Sequence, residues 1–178
     1  MCTMCRRCTH VCPMHIDIPQ LVYHARKNMP EEEKPSGIVR SCKMAQTTQS
    51  HSAMGARSDD FQEVAEEILE EVKEEFPQFE DMEVSFDRKG AYFYMNQNSR
   101  EPVHEPEEMA PLWKILHMAE ADWTYGTVGW AAENFCIFSG DEEAWRKMME
   151  EKVKAIEELG CKVWLNTECG HSFYAVKA

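Results

Sequence analysis

Four cysteines near the start of the chain, Cys2, Cys5, Cys8 and Cys12, are followed directly by Pro13. Their spacing, C-x2-C-x2-C-x3-C-P, is the run that holds [4Fe–4S] cubes in bacterial proteins. Thiolates are soft ligands that suit iron–sulfur clusters. Pro13 has no backbone N–H and turns the chain away from the loop. The run therefore predicts a [4Fe–4S] loop in this part of the chain.

Zinc is the main alternative for the same thiols. Structural zinc sites more often use two separated C-x2-C pairs than one packed run, so the spacing favours iron and sulfide. A disulfide framework is less favoured still, because we expect no secretory leader and the chain is too large to need covalent staples.

A second set of candidate ligands lies in two loops of the C-terminal part. Cys169 follows a predicted strand, and Cys136 precedes a long predicted helix. Because these loops flank one helix–strand unit, the two thiols could converge on a metal centre. His171 is a candidate ligand or proton donor, or only a residue at a helix start.

The two remaining cysteines are Cys42 and Cys161. Free cysteine is commonly a small buried residue, and this is the preferred interpretation of both. For Cys42 a role as a remote cluster ligand stays open.

The length, net charge and hydrophobic pattern of the chain exclude several functions. The chain has 178 residues and a formal net charge of −13. No basic stripe offsets this charge, which argues against nucleic acid as a partner. No apolar run approaches the roughly 20 residues of a membrane span, so any membrane link is expected through another subunit. The cysteines are expected to be reduced and intracellular.

The elements that must position these residues change in character along the chain. A helix with Pro19 in its first turn is predicted within 14–28, with Ile18, Leu21, Val22 and Ala25 at helical spacing. A turn follows at 29–37. Residues 38–44 favour another short helix, and the polar stretch after it is expected to be mobile.

From residue 59 onward helices alternate with strands. The predicted elements are helix 59–76, strands 84–86 and 91–95 around a turn, helix 107–120, a short β-rich segment at 123–130, helix 141–159, strand 161–166 and a helix from Ser172. This alternation predicts a parallel sheet covered by helices on both sides, with ligands beyond the carboxyl ends of its strands.

Several motifs resemble those of the heterodisulfide-reductase-like iron–sulfur oxidoreductases. They are the opening cysteine run, G-A-Y-F-Y-M, N-F-C-I-F-S-G-D around Cys136, and L-G-C-K-V-W-L-N-T-E-C-G-H around Cys169. Within that family the chain resembles the catalytic K-type subunit of sulfite-reductase-linked membrane complexes (the DsrK type) and its HmcF and TmcB relatives. The opening run is widespread, whereas the later motifs are more specific.

The resemblance implies a fold. Residues 1–30 would be part of a helical ferredoxin-like [4Fe–4S] module, and residues 31–58 a linker. Residues 59–178 would be the first half of a three-layer α/β cysteine-rich domain of the CCG type. The class is therefore expected to be α+β or α/β.

The resemblance also implies ligands. Cys2, Cys5 and Cys8 would hold one cube and Cys12 would serve a partner cube. Cys136 and Cys169 would be ligands of a special [4Fe–4S] centre where disulfide chemistry occurs. The chain departs from the family pattern in having a single cysteine at 136, where the CCG pattern has an adjacent pair, and in having only one cysteine-rich half.

The implied function is electron transfer from a quinol-oxidising membrane subunit to a small thiol/disulfide or a protein-bound trisulfide. The chain would be cytoplasmic and peripheral to the inner face of the membrane. It starts just before a ligand cysteine and stops as a helix begins, so we expect a fragment that lacks an upstream cluster run and a downstream half. The alternative is a non-catalytic wiring and docking module with ferredoxin-type clusters alone.

Overall fold

The computed structural model describes residues 2, 4–167 and 169–177. Short 3-10 turns occur at Glu31–Glu33, Pro77–Phe79 and Pro106–Met109. The helices and strands of the described residues are α1 (Arg7–Val11), α2 (Ile18–Lys27), α3 (Ser36–Ala45), α4 (Ser58–Glu75), β1 (Phe93–Met95), α5 (Arg100–His104), α6 (Ala110–Met118), β2 (Trp123–Tyr125), α7 (Cys136–Ser139), α8 (Glu142–Leu159), β3 (Val163–Leu165) and α9 (Gly170–Lys177).

The three strands form one sheet in the order β2-β1-β3, and both pairings are parallel. Phe93 of β1 is in register with Trp123 of β2 and with Val163 of β3. The parallel pairing predicted from the alternation of helices and strands is therefore confirmed. An isolated parallel bridge, Gln97↔Ala131, extends the pairing to the segments that follow β1 and β2.

The two strands predicted at 84–86 and 91–95 do not pair with each other. β1 already has β2 and β3 as neighbours on its two edges, so no edge is left for the earlier segment. Residues 84–87 lie instead along the outer edge of β2. There the Tyr125 N–H donates to the Ser85 carbonyl at 2.9 Å, and the Asp87 N–H donates to the Tyr125 carbonyl at 2.8 Å.

The main core lies between α4 and this sheet. Phe61, Ala65, Ile68 and Val72 recur at helical spacing and are all buried, as their pattern predicts. The Phe61 ring centroid lies 4.3 Å from that of Trp130.

One buried hydrogen-bonded chain crosses this core. The Trp113 indole N–H donates to the Tyr125 hydroxyl at 2.9 Å, and that hydroxyl donates to Gln97 Oε1 at 2.6 Å. Each polar group of this hydrogen-bonded series therefore has a partner.

The long helix α8 has the ends that its sequence predicts. The Asp141 side chain accepts a hydrogen bond from the Ala144 N–H at 3.1 Å, which caps the first turn. Gly160 ends the helix with φ of 73°, a left-handed conformation that glycine adopts without a steric penalty.

Two segments of the N-terminal part differ from expectation. The predicted apolar face of α2 is not a core face, since Leu21 is 58% exposed and the buried residues of the helix are Pro19 and Arg26. The polar stretch expected to be mobile is instead packed inside, because Ser50 and Ser52 have no exposed surface. Contacts with distant residues decide both outcomes, and local patterns do not reveal them.

None of the helices in the described residues is both long enough and apolar enough to cross a lipid bilayer.

Candidate functional site

The opening cysteine run forms a loop around the short helix α1. Cys5 and Cys8 are exposed, and Cys2 and Cys12 are half-buried. Met4 and Arg6 have φ of 57° and 61°, so the backbone between the first cysteines alternates into the left-handed region. Such alternation turns successive N–H groups toward one side and makes the concave, anion-binding backbone found at iron–sulfur sites.

Cys12 lies where the chain turns after α1. Backbone N–H groups of Ile16 and then Met14 face its sulfur and lower the pKa of the thiol. A lowered pKa favours the thiolate, which is the form that binds metal.

The donor set of this loop fits an iron–sulfur cube by residue type and spacing. The sulfurs are not drawn together, however. Among residues 2, 4–167 and 169–177, no three His, Cys, Asp or Glu side chains lie close enough to hold a metal ion. The assignment of the four cysteines as ligands stays a prediction.

Arg26 fastens this loop to the C-terminal part of the chain. Its guanidinium donates from Nη2 to the Cys2 carbonyl at 2.9 Å and from Nη1 to the Phe138 carbonyl at 2.8 Å. The Tyr174 hydroxyl also donates to the Cys5 carbonyl, at 3.0 Å. One buried side chain thus joins the candidate cluster loop to α7, the helix that begins at Cys136.

Cys136 itself is not a free thiol in this structure. It forms a disulfide with Cys42 of α3, and the two Cα atoms are 5.0 Å apart. The sequence argument expected reduced cysteines and placed Cys136 with Cys169, and it left the role of Cys42 open. Because a disulfide sulfur is not a thiolate, the predicted ligand role of Cys136 requires the bond to be reduced.

Cys169 is buried and lies directly before α9. Glu168 of the E-C-G-H motif lies outside the described residues. Convergence of the Cys169 sulfur on Cys136 stays a prediction.

His171 does approach the Cys136 segment. Its ring centroid lies 5.0 Å from that of Phe135 and 5.1 Å from that of Phe138, the residues on either side of α7's first turn. Partial burial lowers the pKa of His171. The start of α9 and the helix that begins at Cys136 are therefore neighbours.

Sequence reasoning missed a buried pair of charged residues beyond the carboxyl ends of the strands. The Lys152 ammonium is buried and donates to the Ala131 carbonyl. Burial lowers the pKa of Lys152 to about 8, although the nearby Glu133 carboxylate and Cys169 oppose the shift.

Glu133 is also buried, and its carboxylate accepts hydrogen bonds from the Ser99 N–H at 3.2 Å, from the Ser99 hydroxyl and from the Ala53 N–H at 3.4 Å. Burial raises the pKa of Glu133. Buried charges near candidate ligands are typical of functional sites, although structural networks produce them as well.

The residues that sequence reasoning missed differ in how clearly the sequence indicates their burial. Lys152 lies four residues from Met148 and four from Ile156, on the buried stripe of α8, and so could have been found. Arg26 carries no such signal, because it is one of several basic residues at the end of an exposed helix.

Comparison with known proteins points to iron–sulfur subunits of heterodisulfide-reductase-like oxidoreductases. The chain is 28% identical over 178 residues to the Hdr-like menaquinol oxidoreductase iron-sulfur subunit 2 of Archaeoglobus fulgidus. It is 29% identical over the same length to the Hdr-like menaquinol oxidoreductase iron-sulfur subunit of Archaeoglobus profundus.

Each match covers 96% of this chain and 31% of the relative. The chain thus spans about a third of the length of the curated relatives it matches. No family profile and no solved structure matches it. The similarity supports the expected relationship to Hdr-like iron–sulfur oxidoreductase subunits in general and does not single out the DsrK type.

Proposed function

We propose that this chain is an electron-transfer iron–sulfur segment of a membrane-associated oxidoreductase complex. The observation that carries the proposal is the opening loop, in which four cysteines with the spacing of a [4Fe–4S] run are anchored to the rest of the chain. The names of the two relatives support it, since both are iron–sulfur subunits of menaquinol oxidoreductases. Electrons would come from a quinol-oxidising membrane partner.

In this proposal Cys2, Cys5 and Cys8 hold one [4Fe–4S] cluster and Cys12 serves a second one. A bound cluster would supply one-electron transfer. The chain's own contribution is to position the loop, and Arg26 does so by holding the Cys2 carbonyl against α7. Fixed ligand loops limit the reorganisation that accompanies each electron.

The finer proposal is a DsrK-type subunit that reduces a disulfide or trisulfide in sulfur metabolism. Cys136 and Cys169 would then belong to the catalytic centre, and His171 would give a proton to the leaving thiolate. The lowered pKa of His171 makes its protonated form a stronger acid. Replacing His171 by Ala should slow thiol release and leave the iron content unchanged, whereas a collapse in iron content would identify His171 as a ligand or a structural residue.

The test of the main proposal is metal analysis with EPR on protein purified without air. Dithionite-reduced protein should give a [4Fe–4S] signal with about four irons and four sulfides per cluster. Cys5→Ser and Cys8→Ser should lose it, because their thiols are ligands with no core role. Cys161→Ser, which removes a free thiol outside the loop, is the matched control. Zinc without iron would contradict the proposal and identify a structural knuckle.

A wiring module without catalysis is the second candidate. The Cys42–Cys136 disulfide favours it, because Cys136 is then unavailable as a ligand. An oxidised-state EPR signal that changes on addition of a thiol or disulfide would support the catalytic form. Cluster EPR signals that do not change on either addition would support the wiring module.

A further inference from the structure

A cavity of about 310 Å³ lies between α2 and α8. Its volume is at the lower end of the range of small-molecule sites, which is roughly 300–1,000 Å³. No cysteine is among the described residues that line it. Its main walls come from α2, α7 and α8, through Tyr23, Lys27, Phe138, Glu142, Trp145 and Arg146.

The apolar walls of this cavity are aromatic rings that other contacts hold in place. The Trp145 indole N–H donates to the Ala175 carbonyl at 3.0 Å, which fixes the plane of the ring. Phe138 is packed in the interior, with 1% of its surface exposed. The Tyr23 hydroxyl donates to Glu142 at 2.9 Å. Because the rings are positioned before any ligand enters, they offer flat apolar surface to a flat apolar body.

The charged side chains at the cavity are mostly positive, although the whole chain has a net charge of −13. Lys27 and Arg146 lie beside a single carboxylate, that of Glu142. Arg6 lines the cavity as well, and its guanidinium pairs with Asp17 at 3.4 Å. One cation more than the lining carboxylate can neutralise therefore remains at the cavity, and this charge favours a negative ligand.

The donors at this end of the cavity already hold one carboxylate. Glu142 accepts hydrogen bonds from the Tyr23 hydroxyl, the Lys27 ammonium and the Arg146 guanidinium. These bonds, above all that of Lys27, lower the pKa of Glu142 to about 2, so its carboxylate stays ionised near neutral pH.

The same donors have the capacity to hold a second carboxylate. Both contacts of Arg146, from Nε and from Nη2, go to one oxygen of Glu142 at 3.0 Å. A guanidinium carries five N–H donors and an ammonium carries three. The side chains of Arg146 and Lys27 are 62% and 46% exposed, so they can turn toward a ligand that arrives from solvent.

We propose that the cavity between α2 and α8 is a binding site for a small aromatic carboxylate. The ring of the ligand lies against Trp145 and Phe138. Its carboxylate accepts hydrogen bonds from Lys27 and Arg146, next to that of Glu142. This site is independent of the proposed electron-transfer function, since it uses neither a thiol nor a cluster.

The experiment is isothermal titration calorimetry of the 178-residue chain with three probes that share a naphthalene ring. The probes are 2-naphthoate, 2-naphthalenemethanol and 2-naphthylmethylammonium, which differ in the charge of the head group. Naphthoate should saturate one site per chain. It should bind at least about tenfold more tightly than the alcohol and the ammonium compound, because charge-assisted hydrogen bonds are roughly twice as strong as neutral ones.

Single variants locate the site. Lys27→Gln and Arg146→Gln should each weaken naphthoate binding by about three- to tenfold and leave binding of the alcohol unchanged. Glu142→Gln should instead tighten naphthoate binding by about two- to fivefold, because it releases both cations from their ion pairs. Lys147→Gln is the matched control, since the Lys147 side chain of the same helix is 73% exposed and lies outside the cavity lining.

Three results would overturn the inference. One is naphthoate that does not saturate or binds no more tightly than the alcohol. Another is naphthoate binding that Lys27→Gln and Arg146→Gln leave unchanged, or that Lys147→Gln weakens as much as they do. The third is weaker binding in Glu142→Gln. Should either cation variant lose its circular dichroism signal, the Glu142→Gln result and the head-group comparison in the parent decide.

Discussion

Two buried charged residues, Lys152 and Glu133, give a stability prediction whose size follows from the structure. Burial lowers the pKa of Lys152 from 10.5 to about 8, in spite of the attraction of Glu133. Each pKa unit corresponds to about 1.4 kcal/mol, so the charged ammonium costs the fold roughly 3 kcal/mol. Burial raises the pKa of Glu133 as well, so for both groups desolvation outweighs mutual attraction.

The dependence on pH has a definite sign. Below about pH 8 Lys152 is protonated in the folded and the unfolded chain, and the fold carries the whole cost. Between about pH 8 and 10.5 the unfolded chain keeps the proton and the folded chain releases it. The free energy of unfolding therefore rises with pH in this window, by up to roughly 3 kcal/mol in total from this group.

The perturbation is the double variant Lys152→Met/Glu133→Gln, which keeps the side-chain volumes and removes both charges. Near neutral pH it should be at least as stable as the parent and up to about 3 kcal/mol more stable. Lys152→Met alone should be less stable than the double variant, because it leaves the Glu133 carboxylate buried without a cation. Lys154→Met is the matched control, since the Lys154 side chain of the same helix is 75% exposed.

Urea unfolding followed by tryptophan fluorescence measures these differences between about pH 7.5 and 10.5. Titration of other groups cancels when the parent is compared with the double variant. The gain of the double variant should fall as pH rises through the window. A difference that is independent of pH would refute the depressed pKa of Lys152, and equal stability of the single and double variants would refute the electrostatic interaction between Lys152 and Glu133.

Three further predictions concern the core, the α2–α8 contact and the disulfide. Tyr125→Phe should lower the free energy of unfolding by about 2–3 kcal/mol. It leaves the buried indole N–H and the side-chain amide that the hydroxyl bridges without a hydrogen-bond partner. Tyr92→Phe, at a residue that is 50% exposed, should change little in the same urea titration. The pKa of Glu142 is lowered from 4.5 to about 2, mainly by a hydrogen bond from a lysine ammonium. The stability that the ionised Glu142 carboxylate contributes above pH 4.5 should therefore be lost as pH falls toward 2. Acid unfolding followed by circular dichroism should lack that loss in Glu142→Gln. The Cys42–Cys136 disulfide closes a loop across 94 positions. Its reduction should therefore lower the free energy of unfolding by about 4–5 kcal/mol through chain entropy. The Cys42→Ala/Cys136→Ala variant should not respond to dithiothreitol, and an equal response would contradict the assignment.

The parts of the fold that the sequence predicts well are those fixed by neighbouring residues. Helix α8 is predicted almost to its ends, because Asp141 and Gly160 supply local stop signals on either side of an apolar period. The parallel sheet follows from the order of elements. The segment 84–86 is the exception, since only knowledge of β3 on the far edge of β1 rules out the predicted hairpin.

The candidate site is less predictable, because most of it depends on long-range contacts. The cysteine run of the opening loop can be interpreted from spacing alone. Nothing near Cys42 indicates a partner at Cys136, and nothing near Arg26 indicates that its guanidinium will bridge two distant carbonyls. The four-residue spacing of Lys152 within a buried stripe is the one overlooked local signal.

The contact between the opening cysteine loop and α7 depends on a close backbone approach that no cysteine pattern encodes. Gly140, directly after α7, has φ of 73°, and a Cβ there would lie 2.5 Å from the Lys27 nitrogen at the end of α2. Any side chain would therefore push α2 away from α7. Arg26 could not then reach the carbonyls of both Cys2 and Phe138. The close approach at Gly140 is what allows a single guanidinium to join the opening cysteine loop to α7. The attachment of the opening loop to α7 thus depends on the missing side chain at Gly140 as well as on Arg26.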